Sequence, residues 1–189
     1  DVMHHTQFIK SLLNDGRLTV NGGSFKGKKI TFHDPCYLGR ANNIYEAPRD
    51  VLEKLDAELS EMKSCKQKGL CCGAGGAQMF KESEPGNKEV NIKRTEQALE
   101  TQPDIIAAGC PFCNTMLTDG IKNKKKEEEV KVLDIAELIN ENTKAIVINS
   151  PNNPTGISYS DKWMKGFADL MKKHDHVFLI SDEIYFSLY

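Results

Sequence analysis

The residues of this chain best suited to chemistry are five of its six cysteines. Cys71 and Cys72 are adjacent and are followed by the glycine-rich run 73–76. Because successive side chains of a strand point to opposite faces, a strand would not direct both sulfurs to one point. A sharp glycine turn can do so, and it lets the backbone approach a bulky ligand. The run therefore predicts a loop around a centre that binds several thiolates. Three more cysteines are candidates for that centre: Cys36, Cys110 and Cys113.

Three kinds of thiol chemistry fit this set of cysteines. Disulfide scaffolds are usually small and loop-rich, whereas this chain has long amphipathic segments, so disulfides are disfavoured. An adjacent pair together with a Cys-x-x-Cys pair is more typical of a metal or redox site. Zinc takes four ligands in a closed tetrahedral site, and five cysteines are one more than it needs. An iron–sulfur cluster spreads its ligands over several irons, so the pattern favours a cluster and leaves zinc as the alternative.

The composition is that of an ordinary globular protein, with 39% hydrophobic and 28% charged residues. The net charge of -2 gives no reason to expect a nucleic-acid partner. No apolar run approaches the length that spans a bilayer, and the first residues lack the pattern of a signal peptide. Since the sequence begins with Asp1 and not with Met, we expect it to be a piece of a longer protein.

Strands and helices alternate along the chain, which indicates an α/β fold built from parallel βαβ units. The first three strands are predicted at 28–33, 104–109 and 130–133, and helices at 4–14, 48–62, 90–99, from Pro111 onward and at 135–140. Cys36 follows the first of these strands and Cys110 follows the second. Ligands of open α/β sheets bind at the carboxyl ends of the strands. We therefore expect one edge of a parallel sheet to present the five sulfurs together.

Several neighbours of the cysteines are candidates for supporting roles. His33 and Asp34 directly precede the Cys36 segment and are candidates for groups that hydrogen-bond the ligands. Cys110 and Cys113 lie at a predicted helix N-terminus, where the helix dipole lowers the pKa of a thiol and favours an anionic cluster. The glycines expected to shape the cysteine loop are Gly73, Gly75 and Gly76.

Three other residues could in principle bind a metal, but we do not expect them to be ligands. Cys65 lies in a polar stretch after a predicted helix, and we expect it to be a bystander. His4 and His5 are adjacent, and adjacent side chains point apart on a helix. We therefore expect a cap or surface role for these histidines and not a metal site.

The cysteine pattern and the words around it resemble a known family. Five segments are similar to the cysteine-rich CCG domain found in the B-type subunit of heterodisulfide reductase and in related iron–sulfur oxidoreductases. They are HDPCYLGR, APRDVL, CCGAGGAQMF, CPFCNTML and DIAEL. The resemblance covers about residues 1–140. It implies that the five cysteines hold a non-cubane 4Fe-4S cluster, although zinc has been assigned to some domains of the family. The implied ligands are Cys36, Cys71, Cys72, Cys110 and Cys113.

This resemblance also implies a function. Membrane-associated members of the family are thought to pass electrons from electron-transfer flavoprotein toward quinone. We therefore expect an electron-transfer domain of an oxidoreductase, with electron-transfer flavoprotein or other iron–sulfur subunits as its redox partner. A cytoplasmic location is expected, with membrane association only through parts outside this sequence. A structural zinc module without redox activity is the alternative from another functional class.

Residues 142–189 resemble a different family. The segments TKAIVINSPNNPTG and VFLISDEIY are similar to the large domain of fold-type I, pyridoxal-phosphate-dependent class I and II aminotransferases. The resemblance implies a Rossmann-like βαβ fragment. Its strands and helix are predicted at 144–149, after Ser160 and at 176–181. It implies contacts from Asn153 and Tyr185 to the phenolic oxygen of the cofactor and from Asp182 to the pyridine nitrogen.

The aminotransferase-like part is expected to be incomplete. The Schiff-base lysine of that family follows the aspartate motif, and this sequence ends before it. We therefore expect residues 141–189 to be a partial fragment that does not bind pyridoxal phosphate, joined to a cysteine-rich domain at 1–140. A working transaminase would need the missing parts from elsewhere. Since the join lies near 139–143 without a linker, we expect a truncated gene fusion or a joined sequence assembly.

Overall fold

The computed structural model of this protein describes residues 2–20, 25–82, 85–139, 145–149, 160, 165–169 and 178–182. The chain divides into two compact units, Asp1–Ile139 and Asn140–Tyr189. Among the described residues, no helix has both the length and the apolar character that crossing a membrane requires.

The first unit alternates strands and helices. In chain order the elements are α1 (His5–Asn14), β1 (Lys29–Phe32), a π-helical turn (Tyr37–Ala41), α2 (Glu46–Glu53), β2 (Glu58–Leu59), two short 3-10 segments (Lys66–Lys68 and Gly75–Phe80), α3 (Val90–Leu99), β3 (Ile105–Ala108), α4 (Pro111–Asn123), β4 (Lys131–Asp134) and α5 (Ile135–Leu138). The apolar and β-branched residues of β1 and β3 are typical of buried strands.

The four strands form one parallel sheet in the order β2-β1-β3-β4. Ile30 of β1 lies opposite Ile105 of β3. Just past the end of β1, the His33 N–H donates to the Ala107 carbonyl at 2.9 Å and extends the ladder. Because parallel strands all end at the same edge, the segments that follow β1 and β3 are neighbours. This sheet confirms the predicted α/β class with parallel strands.

Helices cover both faces of the sheet. Alternate residues of β3 face opposite sides, as the pleat of a strand requires. Ile105 and Ala107 belong to a buried cluster that includes residues of α2 and α5, whereas Ile106 belongs to a second cluster with Leu117 of α4. In addition, α1 packs on α2 and α3 packs on α4. Since apolar burial is the main stabilising term in folding, these clusters fix the strand ends that precede the cysteines.

Local signals set the helix starts near the cysteines. Pro111 occupies the first turn of α4, where its missing N–H is not needed. Asp134 and Glu137 form a capping box at α5, in which Asp134 accepts the Ala136 N–H at 2.9 Å. His4 is the N-cap of α1, in a second capping box. The predicted position of Pro111 and the cap role of His4 are confirmed.

The predicted helix over 48–62 is wrong in extent. Helix α2 ends at Glu53, and Leu59 lies in the edge strand β2. The chain turns at Asp56, whose φ of 55° is left-handed and does not continue a helix. Leu55 remains buried. The apolar residues whose spacing predicted one long helix therefore lie in a short helix, a turn and a strand.

In the second unit, β5 (Ala145–Asn149) and β6 (Phe178–Asp182) form a two-stranded parallel sheet. Ala145 lies opposite Phe178, and Asn149 lies opposite Asp182. Residues 165–169 are helical. The two strands lie where the sequence predicts them, but the identity of this unit as an aminotransferase fragment stays a prediction.

Candidate metal centre

Four of the cysteines pack together at the carboxyl end of β3. With Ala108 and the partly buried Ala74 and Met116 they form one cluster, and they are Cys71, Cys72, Cys110 and Cys113. Cys72 and Cys113 have only 3% and 2% of their surface exposed, while Cys71 and Cys110 are partly buried. All four are free thiols. The structure thus brings together four of the five predicted sulfurs.

Cys36 lies beside this cluster, on its exposed side. It follows β1 and immediately precedes the π-helical turn Tyr37–Ala41, and its side chain is exposed. Cys36 and Cys71 both line one small cleft, whose other walls include Arg40, Lys66 and Gly69. Cys36 therefore shares a cleft with Cys71 and is not part of the packed group of four.

The loop that carries the adjacent cysteines turns at Gly73. Its φ of 96° is left-handed, a conformation that side-chain-bearing residues rarely adopt. The turn directs the Gly73 N–H to Cys71 Sγ at 3.3 Å, and the Ala74 N–H donates to the Cys72 sulfur. A Cβ at position 73 would also lie 3.3 Å from the backbone nitrogen of Asn91. Geometry therefore requires glycine here, and the N–H groups favour thiolates.

Cys110 occupies the N-cap position of α4. A hydrogen bond from the Cys113 thiol lowers the pKa of Cys110 to about 6, against the effect of burial. The backbone N–H groups of Phe112 and Cys113 lower it further. A thiolate at a helix N-terminus is the arrangement that the position of Pro111 predicts.

Cys113 donates its proton to two neighbours. Its hydrogen bond lowers the pKa of Cys72 to about 4, and the hydrogen bonds to Cys110 and Cys72 raise the pKa of Cys113 itself. The thiol of Cys113 thus lies between the sulfurs of Cys72 and Cys110, whose thiolate forms it stabilises. A metal cation would replace that proton and neutralise the same negative charge, so the donor set fits a thiolate-bound metal or cluster.

His33 reaches the cluster from the end of β1. One ring nitrogen and the sulfurs of Cys72 and Cys113 lie within 4.8 Å of one another. His33 hydrogen-bonds to Cys72, and its Nδ1 accepts the Arg94 Nε–H at 2.8 Å. Burial is the largest cause that lowers the pKa of His33, so the ring is neutral at pH 7. The predicted supporting position of His33 beside the ligands agrees with these contacts.

Asp34 lines the same small cleft as Cys36 and Cys71 and pairs with Arg49. Its carboxylate receives Arg49 at 2.8 and 3.0 Å and accepts the Lys66 N–H at 2.7 Å. Arg49 is also paired with Glu61. Asp34 therefore ties the segment after β1 to α2 and to the 3-10 turn. Cys65 lies next to Glu61 and outside the group of four, and burial raises its pKa.

His4 links α1 to the cysteine edge of the sheet. Its Nδ1 lies 2.8 Å from Thr6 Oγ1, and its Nε2 lies 2.9 Å from the Gly109 carbonyl oxygen. A carbonyl accepts only, so the proton of the neutral ring is on Nε2. The cap residue of the first helix thus holds the backbone directly before Cys110.

Sequence reasoning missed Arg94. Its side chain is fully buried at the centre of α3, with 0% of its surface exposed. A signal was present, because Asn91, Arg94, Thr95 and Ala98 repeat at helical spacing and all are buried. An arginine within such a stripe indicates a buried positive charge that needs a partner.

The predicted aminotransferase residues receive little structural information. Asp182 is the last residue of β6, opposite Asn149. Asn153 and Tyr185 lie outside the described residues. The predicted contacts of these three residues with pyridoxal phosphate therefore stay predictions.

Several known proteins are similar to most of this chain. A probable iron–sulfur-binding oxidoreductase, FadF, of Bacillus subtilis is 45% identical over 140 residues, which are 74% of this chain and 19% of that protein. The EtfAB:quinone oxidoreductase of Syntrophomonas wolfei is 39% identical over 145 residues, covering 74% of this chain and 20% of that protein. A subunit of the dihydromethanophenazine:CoB--CoM heterodisulfide reductase of Methanosarcina barkeri is 37% identical over 146 residues, or 75% of this chain and 34% of that protein.

Two family models also match. Aminotransferase class I and II matches residues 103–189, and cysteine-rich domain, CCG, matches residues 30–118. The two matches share 103–118, a segment that the structure places in β3 and α4 of the four-stranded unit. The aminotransferase assignment therefore stays a prediction. Residues 30–118, which include the five candidate ligand cysteines, are similar to the CCG cysteine-rich domain, and the similar proteins include iron–sulfur oxidoreductases and heterodisulfide reductase subunits by name.

Proposed function

We propose that residues 1–140 form an electron-transfer domain of an iron–sulfur oxidoreductase and bind a 4Fe-4S cluster. The observation that carries this proposal is the packing of four thiols from two separate segments at one edge of the parallel sheet. Five cysteines are the proposed ligands: Cys36, Cys71, Cys72, Cys110 and Cys113. The chain spans about a fifth of the first relatives it matches, so their whole activity is part of the proposal.

Each ligand would contribute from a defined environment. Cys72 and Cys113 supply sulfurs from the buried side, and Cys110 supplies one from the N-terminus of α4. Cys71 brings a sulfur that already accepts the Gly73 N–H, and Cys36 brings one from the exposed side. A bound cluster supplies reversible one-electron transfer. The protein supplies shielding from water and N–H groups aimed at sulfur, both of which adjust the reduction potential.

The proposed partner is a redox protein such as electron-transfer flavoprotein or another iron–sulfur protein. Three exposed aromatic side chains adjoin the cysteine segments: Tyr37, Phe80 and Phe112. Exposed aromatic residues are enriched where proteins bind each other. One relative is named for both EtfAB and quinone, which supports a flavoprotein donor. The cytoplasmic location and any membrane association through other parts stay predictions, although one relative is named a membrane-anchored ferredoxin.

Anaerobic purification with iron and acid-labile sulfide analysis tests the proposal. We expect close to four irons and four sulfides for each chain, as a 4Fe-4S cluster requires, and a visible absorbance that dithionite bleaches. Reduction of this absorbance by reduced electron-transfer flavoprotein would support the proposed partner. Bound zinc without sulfide would overturn the cluster proposal.

A structural zinc module is the second candidate, because one observation favours it. The four packed cysteines are as many thiolates as a tetrahedral zinc site takes, while Cys36 is exposed and outside their group. Zinc would stabilise the fold and would carry no electrons. The same metal analysis separates the two candidates, since zinc has neither sulfide nor visible absorbance.

We propose that residues 141–189 are a partial βαβ fragment of an aminotransferase large domain. The parallel pairing of β5 and β6 and the two quoted segments support this proposal. Asn153, Asp182 and Tyr185 would then be the positions that face pyridoxal phosphate in a complete relative. We expect no cofactor absorbance to survive dialysis and borohydride reduction. Reading one uninterrupted DNA molecule across the codons for 140–144 tests the fusion, and a clean natural read-through would reject an assembly error.

A further inference from the structure

Arg94 is a buried cation without a carboxylate partner among the residues that the structure describes. Its Nε donates to His33 Nδ1 at 2.8 Å, and its Nη1 donates to the Ser64 carbonyl at 2.7 Å and to Gln97 Oε1 at 3.0 Å. Its Nη2 has no hydrogen-bond partner. The other buried arginine, Arg49, differs because it pairs with two carboxylates. The charge of Arg94 therefore needs another source of negative charge.

The sulfurs are the negative groups that remain for Arg94. Asp34 interacts electrostatically with its guanidinium, but that carboxylate is already paired with Arg49. Cys65, Cys113 and Cys72 interact with the same guanidinium, and of these Cys65 lies outside the packed group and is a thiol whose pKa is raised. An arginine sealed in the protein interior is strongly unfavourable unless an anion compensates it. A centre built from thiolates is such an anion. Its negative charge would compensate the buried positive charge of Arg94.

The hydrogen bond from Arg94 decides what His33 can do. A guanidinium only donates, so His33 Nδ1 must accept and the ring proton must be on Nε2. A histidine that binds a metal through one nitrogen donates an N–H from the other, usually to a carboxylate or carbonyl. Here the other nitrogen faces a donor. His33 is therefore suited to donate Nε2–H to the Cys72 sulfur, although it lies close enough to be a ligand.

We propose that Arg94 and His33 are a positioning pair that sets the reduction potential of the centre. Arg94 supplies a buried positive charge and fixes the tautomer of His33, and His33 donates a hydrogen bond to Cys72. This inference rests on the proposed cluster function. Reduction adds negative charge, which a nearby cation and an N–H donor to sulfur both stabilise. The pair therefore raises the reduction potential without binding iron.

The test compares iron content with midpoint potential in the full chain, purified anaerobically. Arg94→Met removes the charge and the donor, and His33→Gln removes the imidazole. We expect both variants to keep the iron and sulfide content of the unaltered protein. We expect the one-electron equilibrium to shift at least tenfold toward the oxidised cluster, which equals about 59 mV in an EPR-monitored titration. Arg94→Lys keeps the charge, and we expect a smaller shift.

Control variants distinguish an effect of Arg94 and His33 on the potential from an effect of altered core packing. They also distinguish failure of this inference from failure of the proposed function. Thr95→Val alters the next residue of α3, which is also buried but packs on Gly120, and we expect an unchanged potential. Cys72→Ser shows what loss of a ligand does to iron content. The inference is overturned if the Arg94 and His33 variants keep the potential, or if they lose iron as Cys72→Ser does. If Arg94→Met does not fold, Arg94→Lys and His33→Gln decide by the same criteria. Unaltered protein without iron would instead overturn the proposed function.

Discussion

At the scale of single residues, the five cysteines occupy different environments. Cys72 and Cys113 are shielded by the sheet and its helices, whereas Cys36 is exposed in a turn beside them. Burial and hydrogen bonds hold the first two in place before any metal binds. Cys36 is held by the backbone on either side of it, through Asp34 before it and the π-helical turn after it. Substitution of Cys36 is therefore the most informative change for distinguishing a five-ligand cluster from a four-ligand zinc site.

We expect Cys36→Ser to lower the iron retained per chain to less than half. A five-thiolate cluster loses one ligand in this variant, whereas a zinc site made by the other four cysteines loses none. Iron, sulfide and zinc measured after gel filtration check the result. Cys65→Ser is the matched control, since Cys65 lies outside the group, and its metal content should not change. Equal metal content in both variants would contradict the role of Cys36.

Gly73 and Gly75 predict different responses to the same added methyl group. Gly73 has a φ of 96° and close neighbours, while a Cβ at Gly75 would meet nothing within 4 Å. We expect Gly73→Ala to lower the free energy of unfolding by about 1–2 kcal/mol because a left-handed alanine is strained. Gly75→Ala should change it by less than about 0.5 kcal/mol. Urea unfolding of both variants measures the difference, and similar losses would show that the turn at Gly73 is not the strained position.

At the scale of elements, the junction of β4 and α5 predicts a pH dependence. Burial alone would raise the pKa of Asp134, but His5 Nε2, 3.2 Å from its carboxylate, and the hydrogen bond from the Ala136 N–H outweigh burial and lower it. A lowered pKa in the folded state means stabilisation that is complete above the unfolded pKa of about 3.9. It is lost as the pH falls through the folded value.

Asp134→Asn keeps an N-cap oxygen and removes the charge. We expect the variant to be less stable than the unaltered protein by about 0.3–1 kcal/mol at pH 6, as for other charges at helix N-termini. The difference should shrink toward zero as the pH falls through the lowered pKa of Asp134 in the folded state. Chemical unfolding at several pH values measures it. Asp119→Asn, which alters an exposed carboxylate on α4, should show no such trend.

Elements with a strong local signal could be predicted from the sequence. The apolar run of β3, the proline at the start of α4 and the acidic cap of α5 act within a few residues, and the structure has all three. The end of α2 could not be predicted, because the left-handed turn at Asp56 is stabilised by the pairing of β2 with β1. That pairing joins residues distant in sequence.

The candidate site shows the same limit. The grouping of the cysteines follows from the rule that parallel strands end at one edge, so it could be predicted from strand positions. The contact between Arg94 and His33 joins α3 to the end of β1, and the two residues are 61 positions apart in the sequence. No local pattern encodes such a contact. The exposed position of Cys36 could not be predicted from the sequence either, because it depends on the π-helical turn that follows Cys36.

At the scale of the whole molecule, the first unit has what a stable domain needs. It contains a four-stranded sheet with a buried cluster on each face, whereas the described part of the second unit has two paired strands. An isolated two-stranded sheet is marginal in water. We therefore expect a chain of residues 1–139 to unfold cooperatively and to bind as much iron as the full chain.

Circular dichroism and iron analysis of this shortened chain check the prediction. Residues 140–189 expressed alone serve as the comparison, and we expect them to lack a cooperative thermal transition. Loss of iron or of cooperative unfolding from 1–139 would show that the second unit supports the first.

The exposed position of Cys36 gives the centre a vulnerable side. Dioxygen, peroxide and chelators approach through solvent, so they meet Cys36 before they meet the shielded Cys72 and Cys113. Oxidative damage to a cluster would then begin at one corner and leave behind four closely packed thiols. Those four are a donor set that zinc accepts. Zinc found in a sample prepared in air would therefore not distinguish a zinc module from a damaged cluster, and only metal analysis under anaerobic conditions separates the two candidates.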